Sequence, residues 1–336
     1  MTAQEKAYRS IINRLGVTML VLFGGITVYQ TAATEIVPLL LADLPLVTAS
    51  IVGELVLALL YTAAFLVPVF VFLGISKGKP HASLDATLYL PRGTLLYVLA
   101  ALGIISAAAY INTYIIDIFE AVSLFGDGAV APPSATSAPR AGYQLILAFI
   151  TTAIVPAFVE EALFRGIVLK NLLPFGRTTA VFASALLFGI MHQNAAQLFY
   201  ATVAGLVIGY IYVYTKSLWV CVLIHFSNNA FSVILTVLHE RLPFEQAVLA
   251  DSLSYAIVVA LGLVAAVFLL REHRDMGEDI LLNGCFERDV VPDAESAVAI
   301  LPMARRVKIF FTPPMVVFLA LCAVQVLYML AMAVLY

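Results

Sequence analysis

Val155-Pro156-Ala157-Phe158-Val159-Glu160-Glu161-Ala162-Leu163-Phe164-Arg165-Gly166 sets two adjacent carboxylates and a guanidinium in an otherwise apolar run. What becomes of those charges decides how the rest of the chain must fold. An ionisable side chain at membrane depth costs at least about 2.5–3.5 kcal/mol, so groups buried there pair with one another and mark working sites. On a helix the i, i+4 spacing sets Glu161 beside Arg165, whereas Glu160 points about 100° away around the axis. One carboxylate finds its partner locally; the other must look to another helix.

Composition says where that helix lives. Of 336 residues, 62% are hydrophobic and 12% charged, with a mean hydropathy of +1.01, far from the composition of a water-soluble domain. The expected fold is an all-α, polytopic membrane helix bundle. A net charge of -3 and a pI near 5.9 offer no basic footprint for nucleic acid. Cys221, Cys285 and Cys322 are widely separated and match no CxxC spacing. Cys221 and Cys322 read as small apolar fillers within spans.

Working outward, the apolar runs fall at about 15–42, 46–75, 94–118, 143–172, 178–194, 196–215, 217–238, 248–270 and 314–336, about nine spans. The first is too long for a signal-peptide core and reads as an uncleaved span. Three regions follow: 1–142 with spans one to three and a Gly-, Ala-, Pro- and Ser-rich loop at 126–142, a core at 143–240, and 241–336 with the last two spans. Polar residues 271–312, of mixed charge, separate those two and read as a solvated cytoplasmic face. Gly205 and Gly209 are spaced to let helices approach closely. Glu35, Glu54 and Asp117, in or near the ends of spans one to three, are expected to hydrogen-bond to neighbouring helices.

Loop charges set the orientation. With the amino terminus inside, the inner segments hold Lys6, Arg9, Arg14, Lys77, Lys79, Arg92, Lys170, Arg177, Lys216, Arg271, Arg274, Arg288, Arg305, Arg306 and Lys308. The outer ones hold only Arg140 and Arg241, a strong positive-inside bias.

Depth can then be estimated at about 1.5 Å per residue from the inner helix ends. Glu160 lies roughly 21 Å in, His192 roughly 22 Å, and His225 and Asn229 roughly 14 and 20 Å. The i, i+4 spacing puts His225 and Asn229 on one face. Three spans thus deliver polar groups to one layer, where buried groups must satisfy each other. A polar clamp that merely holds the bundle together is the plain alternative.

The set suits two chemistries. Glutamate and histidine can hold a water and take its proton, while His225 and Asn229 donate hydrogen bonds to a tetrahedral oxyanion. Alternatively, His192, His225 and Glu160 are the ligand types of a catalytic zinc site with an open position. Motifs of other intramembrane hydrolases fail: Gly74-Ile75-Ser76 runs into Lys77, Phe125-Gly126-Asp127-Gly128 sits in a loop, and His239-Glu240 lacks a second histidine before Pro243.

Glu160-Glu161-Ala162-Leu163-Phe164-Arg165 matches EExxxR, Phe188 to His192 matches FxxxH, and His225 to Asn229 matches HxxxN. In this order and spacing they resemble the CPBP family, also called Abi, which comprises CAAX proteases and bacteriocin-processing enzymes and includes the eukaryotic type II CAAX prenyl endopeptidase. The resemblance covers about 143–240. It implies an intramembrane endopeptidase in which Glu160 and His192 activate the attacking water and His225 and Asn229 stabilise the oxyanion. Glu161 and Arg165 would orient and charge-balance the site. The family has been described both as metal-dependent and as glutamate-type; the expectation here is no cofactor, with zinc on His192, His225 and Glu160 as the variant. Expected partners are membrane lipids and a peptide or lipid-modified protein substrate, in a bacterial inner membrane. A proton-coupled transporter and a non-catalytic bacteriocin-immunity protein of the same fold are the rival readings.

Overall fold

The computed structural model describes residues 1–79, 84, 89–121, 142–275 and 301–335. The 126–141 stretch, residues 276–300 of the 271–312 segment, Cys285, Arg140, Arg288 and the side chain of Asp117 lie outside the described set. All regular structure among the described residues is helical, as a chain immersed in lipid requires, since each helix satisfies its own backbone.

Among the described residues, seven helices are long and apolar enough to cross a membrane: α1 Ala3–Leu40, α2 Leu46–Ile75, α3 Thr94–Ala121, α4 Gly142–Phe175, α6 Ala195–Thr215, α7 Leu218–Arg241 and α8 Phe244–Asp275. Between α4 and α6 runs α5, Arg177–Met191, which has 15 residues. Further along, α9, Met303–Phe310, meets α10, Pro313–Leu335, at a 71° bend; taken as one span, the pair brings the number of candidate crossings among the described residues to eight. The apolar runs expected from the sequence are therefore all present, with the run at 178–194 forming the short α5. That helix stops where Gln193 turns left-handed at φ 54°.

Contacts among the connecting segments gather one end of the bundle. Arg305 bridges Glu5 at 2.8 Å, Arg306 Nη1 donates to the Phe175 carbonyl at 2.9 Å, and the Ser217 hydroxyl donates to the Tyr89 carbonyl. Residues near 5, 89, 175, 217 and 305 thus share the end where the basic residues concentrate. This is the cytoplasmic end by the charge rule.

Close backbone approach holds the spans in place. A Cβ added to Gly262 of α8 would lie 2.5 Å from the Cα of Gly103 in α3, and one added to Gly205 of α6 would lie 2.9 Å from the Cα of Ala185 in α5. Small residues at such crossings let dispersion act between backbones, which is what drives helix association in lipid. Gly209 has more room, with Val181 at 3.5 Å.

Helix α4 is irregular on both sides of the opening stretch, with π-helical turns at Phe149–Ile154 and Phe164–Leu169. Such turns expose carbonyls and re-aim side chains, and they occur often at functional sites. Pro156 adds to this, because it has no N–H to offer the carbonyl four residues back, that of Thr152.

Replacing Gly262 by valine should destabilise the bundle by about 1–3 kcal/mol through overpacking against Gly103. Gly24→Ala, which meets no neighbour within 4 Å, should not. Denaturation midpoints of the two purified variants against the parent protein check this.

Candidate active site

The pairing imposed on Glu161 is met twice over. Its Oε1 accepts from Arg165 Nη1 at 2.8 Å and lies 2.7 Å from His225 Nδ1, which reaches across from α7. All three are sealed from solvent: Glu161 is 0% exposed, Arg165 1% and His225 6%. The second arm of the guanidinium, Nη2, donates to the carbonyl of Gly205 at 3.1 Å. Its face packs on Phe188, with Cζ 4.9 Å from the ring centroid, a cation–π contact strengthened by the lack of water.

A carboxylate facing Nδ1 makes that nitrogen the N–H donor, which leaves Nε2 to face away. His225 Nε2 points toward Glu160 and stands 4.0 Å from its Oε2. Glu160 is 3% exposed and has no charged partner on its own helix. Its Oε1 accepts from the Tyr61 hydroxyl of α2, while Oε2 is buried with no hydrogen-bond partner among the described residues. The leftover carboxylate of the sequence reading is thus held at one oxygen and free at the other.

Glu160 lines a cavity of about 800 Å³ together with Tyr61, Thr152, His192, Asn228 and Asn229. His192 closes α5 and gives Nδ1 to the Phe188 carbonyl at 2.8 Å, so its Nε2 is the acceptor nitrogen. The Phe188 ring lies 5.1 Å from His192 and 5.9 Å from His225, centroid to centroid, and so contacts both imidazoles. Asn229 donates from Nδ2 to the Thr152 carbonyl at 3.0 Å, the group freed by Pro156. Its Oδ1 accepts from Asn228 at 3.2 Å, and Asn228 in turn accepts from the Tyr200 hydroxyl at 2.8 Å.

The structure therefore brings Glu160, Glu161, Arg165 and His225 into one buried network and sets Glu160, His192 and Asn229 on the wall of one cavity. His225 and Asn229, although on one face of α7, are held by different partners. Tyr61, Tyr200 and Asn228 escaped the sequence reading; of these only Asn228, next to Asn229, carried a signal there. Glu54 differs from expectation: it lines the same cavity, and no hydrogen bond or ion pair ties it to another described residue. Glu35 is exposed.

For metal, both histidines show the arrangement common in ligands, one ring nitrogen bonded to a backbone or carboxylate oxygen and the other pointing outward. Even so, among the described residues no three His, Cys, Asp or Glu side chains form a group able to hold a metal ion.

Comparison with known proteins bears on this same region. Residues 142–231 match the family described as Type II CAAX prenyl endopeptidase Rce1-like. A protein of Bacillus subtilis named "Putative membrane peptidase YdiL" is 33% identical over 103 residues, which are 30% of this chain and 41% of that relative. No solved structure matches the chain. The residues from Glu160 to Asn229 all fall inside the matched stretch, so the similarity to that family covers the Glu160, Glu161, Arg165, His192, His225 and Asn229 cluster, while the chain spans less than half the length of the curated relative.

Proposed function

We propose that the chain is an intramembrane endopeptidase that hydrolyses a peptide bond in a membrane-associated or lipid-modified protein or peptide, without a metal, in a bacterial plasma membrane. The observation that carries this is Glu160: a buried carboxylate with one oxygen held by Tyr61 and the other unpartnered, 4.0 Å from an imidazole nitrogen, on the wall of a cavity large enough for a peptide segment.

Chemically, Glu160 takes a proton from a water that also donates to His192 Nε2, and the water oxygen attacks the carbonyl carbon. The carbonyl electron pair moves to oxygen, and this oxyanion accepts from Asn229 Nδ2–H, which has a second hydrogen besides the one given to Thr152. A doubly protonated His225 adds a second donor at Nε2. In that state Arg165 and His225 balance Glu160 and Glu161. When the tetrahedral intermediate collapses, the C–N bond breaks and the proton on Glu160 passes to the leaving nitrogen, giving an amine and a carboxylic acid, which then ionise to an ammonium and a carboxylate, and returning Glu160 to its carboxylate form. Tyr61 acts through Glu160 by holding Oε1, so that Oε2 stays aimed at the water.

Glu160→Gln should lower the rate of peptide cleavage by about 10²–10⁴-fold, with normal membrane insertion. A purified-protein assay against lipid-modified and plain peptides checks this, and undiminished cleavage would remove the carboxylate from the mechanism. Tyr61→Phe should lower kcat by about tenfold through loss of a hydrogen bond to a charged group, leaving KM unchanged; a rise in KM alone would make Tyr61 a substrate-binding group instead. Chelator treatment should leave cleavage intact, whereas cleavage lost and restored by zinc would overturn the metal-free route.

A further inference from the structure

The cavity extends from Glu160 toward one end of the bundle only. Among its lining residues, Ser50 lies one turn from the start of α2, and Gln144 and Gln197 lie in the first turns of α4 and α6. All three mark the end opposite the amino terminus and its basic segments. Among the described residues, the lining contains two carboxylates, Glu54 and Glu160, and neither lysine nor arginine. Glu160 has the role described above. Glu54 has none: it stands one turn below Ser50, at the wall shared with a second cavity of about 450 Å³ between the ends of α1 and α2. An ionisable group at membrane depth that lines a cavity, with Tyr29 as an electrostatic neighbour but no hydrogen bond or ion pair to a described residue, has the arrangement of a ligand-binding residue.

Resting on the peptidase reading, we propose that Glu54 is a specificity subsite for a cationic side chain of the substrate, on a peptide that reaches the cavity from the non-cytoplasmic face. The spacing along α2 says where that cation sits. Glu54 precedes Tyr61, the residue bonded to Glu160, by seven positions, a rise of about 10 Å. An extended peptide advances about 3.3 Å per residue, so the lysine or arginine falls about three residues from the scissile bond. The direction follows from the same geometry, since the chain segment beyond the cation leaves past Ser50 and Gln144. Among the described residues that line this mouth, the groups beside Glu54 are neutral and polar.

Two measurements test the subsite, and neither needs turnover. The first places a cysteine at the mouth, Ser50→Cys, in the full-length protein in sealed membrane vesicles. A cationic, membrane-impermeant thiosulfonate added to the non-cytoplasmic face should label it faster than an anionic one. Glu54→Gln should lower that rate ratio by about tenfold, the effect of one charge at close range in a partly hydrated cavity. A ratio unchanged by Glu54→Gln, or labelling from the cytoplasmic face alone, overturns the proposal. The second measures binding of a short apolar peptide carrying one lysine, or norleucine in its place, to the Glu160→Gln protein. The lysine peptide should bind about tenfold more tightly, and the advantage should vanish when Glu54→Gln is added. Equal binding of the two peptides overturns the subsite. Failure of Glu160→Gln to affect cleavage strikes the peptidase mechanism alone, so the two readings fall separately.

Discussion

A carboxylate buried in a lipid-solvated bundle cannot be left alone, and the site grows from the way Glu161 is satisfied. Arg165 answers it from the same helix and His225 from α7, both within 2.8 Å. Taking one member out of such a group leaves an uncompensated charge at a cost of about 3–5 kcal/mol, so the three hold their geometry together. That rigidity has a chemical result. With Nδ1 of His225 committed to Glu161, the ring can present only Nε2 to Glu160, and its orientation is no longer a free variable. The same logic governs His192 through the Phe188 carbonyl. Both imidazoles are thereby held in a defined tautomer when neutral.

Asymmetry between the two adjacent glutamates follows from helix geometry. Glu161 looks along α4 toward Arg165 and inward to α7, while Glu160, about 100° around the axis, meets α2 and the cavity. Neighbours in sequence are thereby given separate tasks: one anchors charge, the other keeps an oxygen free for chemistry. The π turns of α4 and the missing amide of Pro156 tune this further, because they release carbonyls that α5 and α7 then engage through Ser184 and Asn229.

Much of this was legible in the sequence, and for identifiable reasons. Charges in apolar surroundings announce themselves, so Glu160, Glu161 and Arg165 could be singled out, and the depth count put Glu160 level with His192 and Asn229. It could not tell that His225 would turn to Glu161 rather than line the cavity beside Asn229, since a depth carries no azimuth. Tyr61 was invisible for another reason. It is one of 15 tyrosines, and only the packing of α2 on α4 singles out its hydroxyl. Glu54 was expected to bond to a neighbouring helix, and whether a side chain meets a helix or a cavity depends on packing that periodicity does not contain. Length misled once as well: the apolar run at 178–194 resembles any other span, yet Gln193 adopts a left-handed turn and stops α5 at 15 residues.

Several of the acceptors that organise the site are main-chain carbonyls: Thr152 for Asn229, Phe164 for Ser184, Phe188 for His192 and Gly205 for Arg165. No side-chain replacement deletes a carbonyl. The framework around the reactive groups is therefore partly insulated from drift at those four positions, as long as the helices keep their course. Selection on such a scaffold would act on the shape of the backbone, through glycine, proline and helix irregularity, more than on the identity of the groups that touch the working residues.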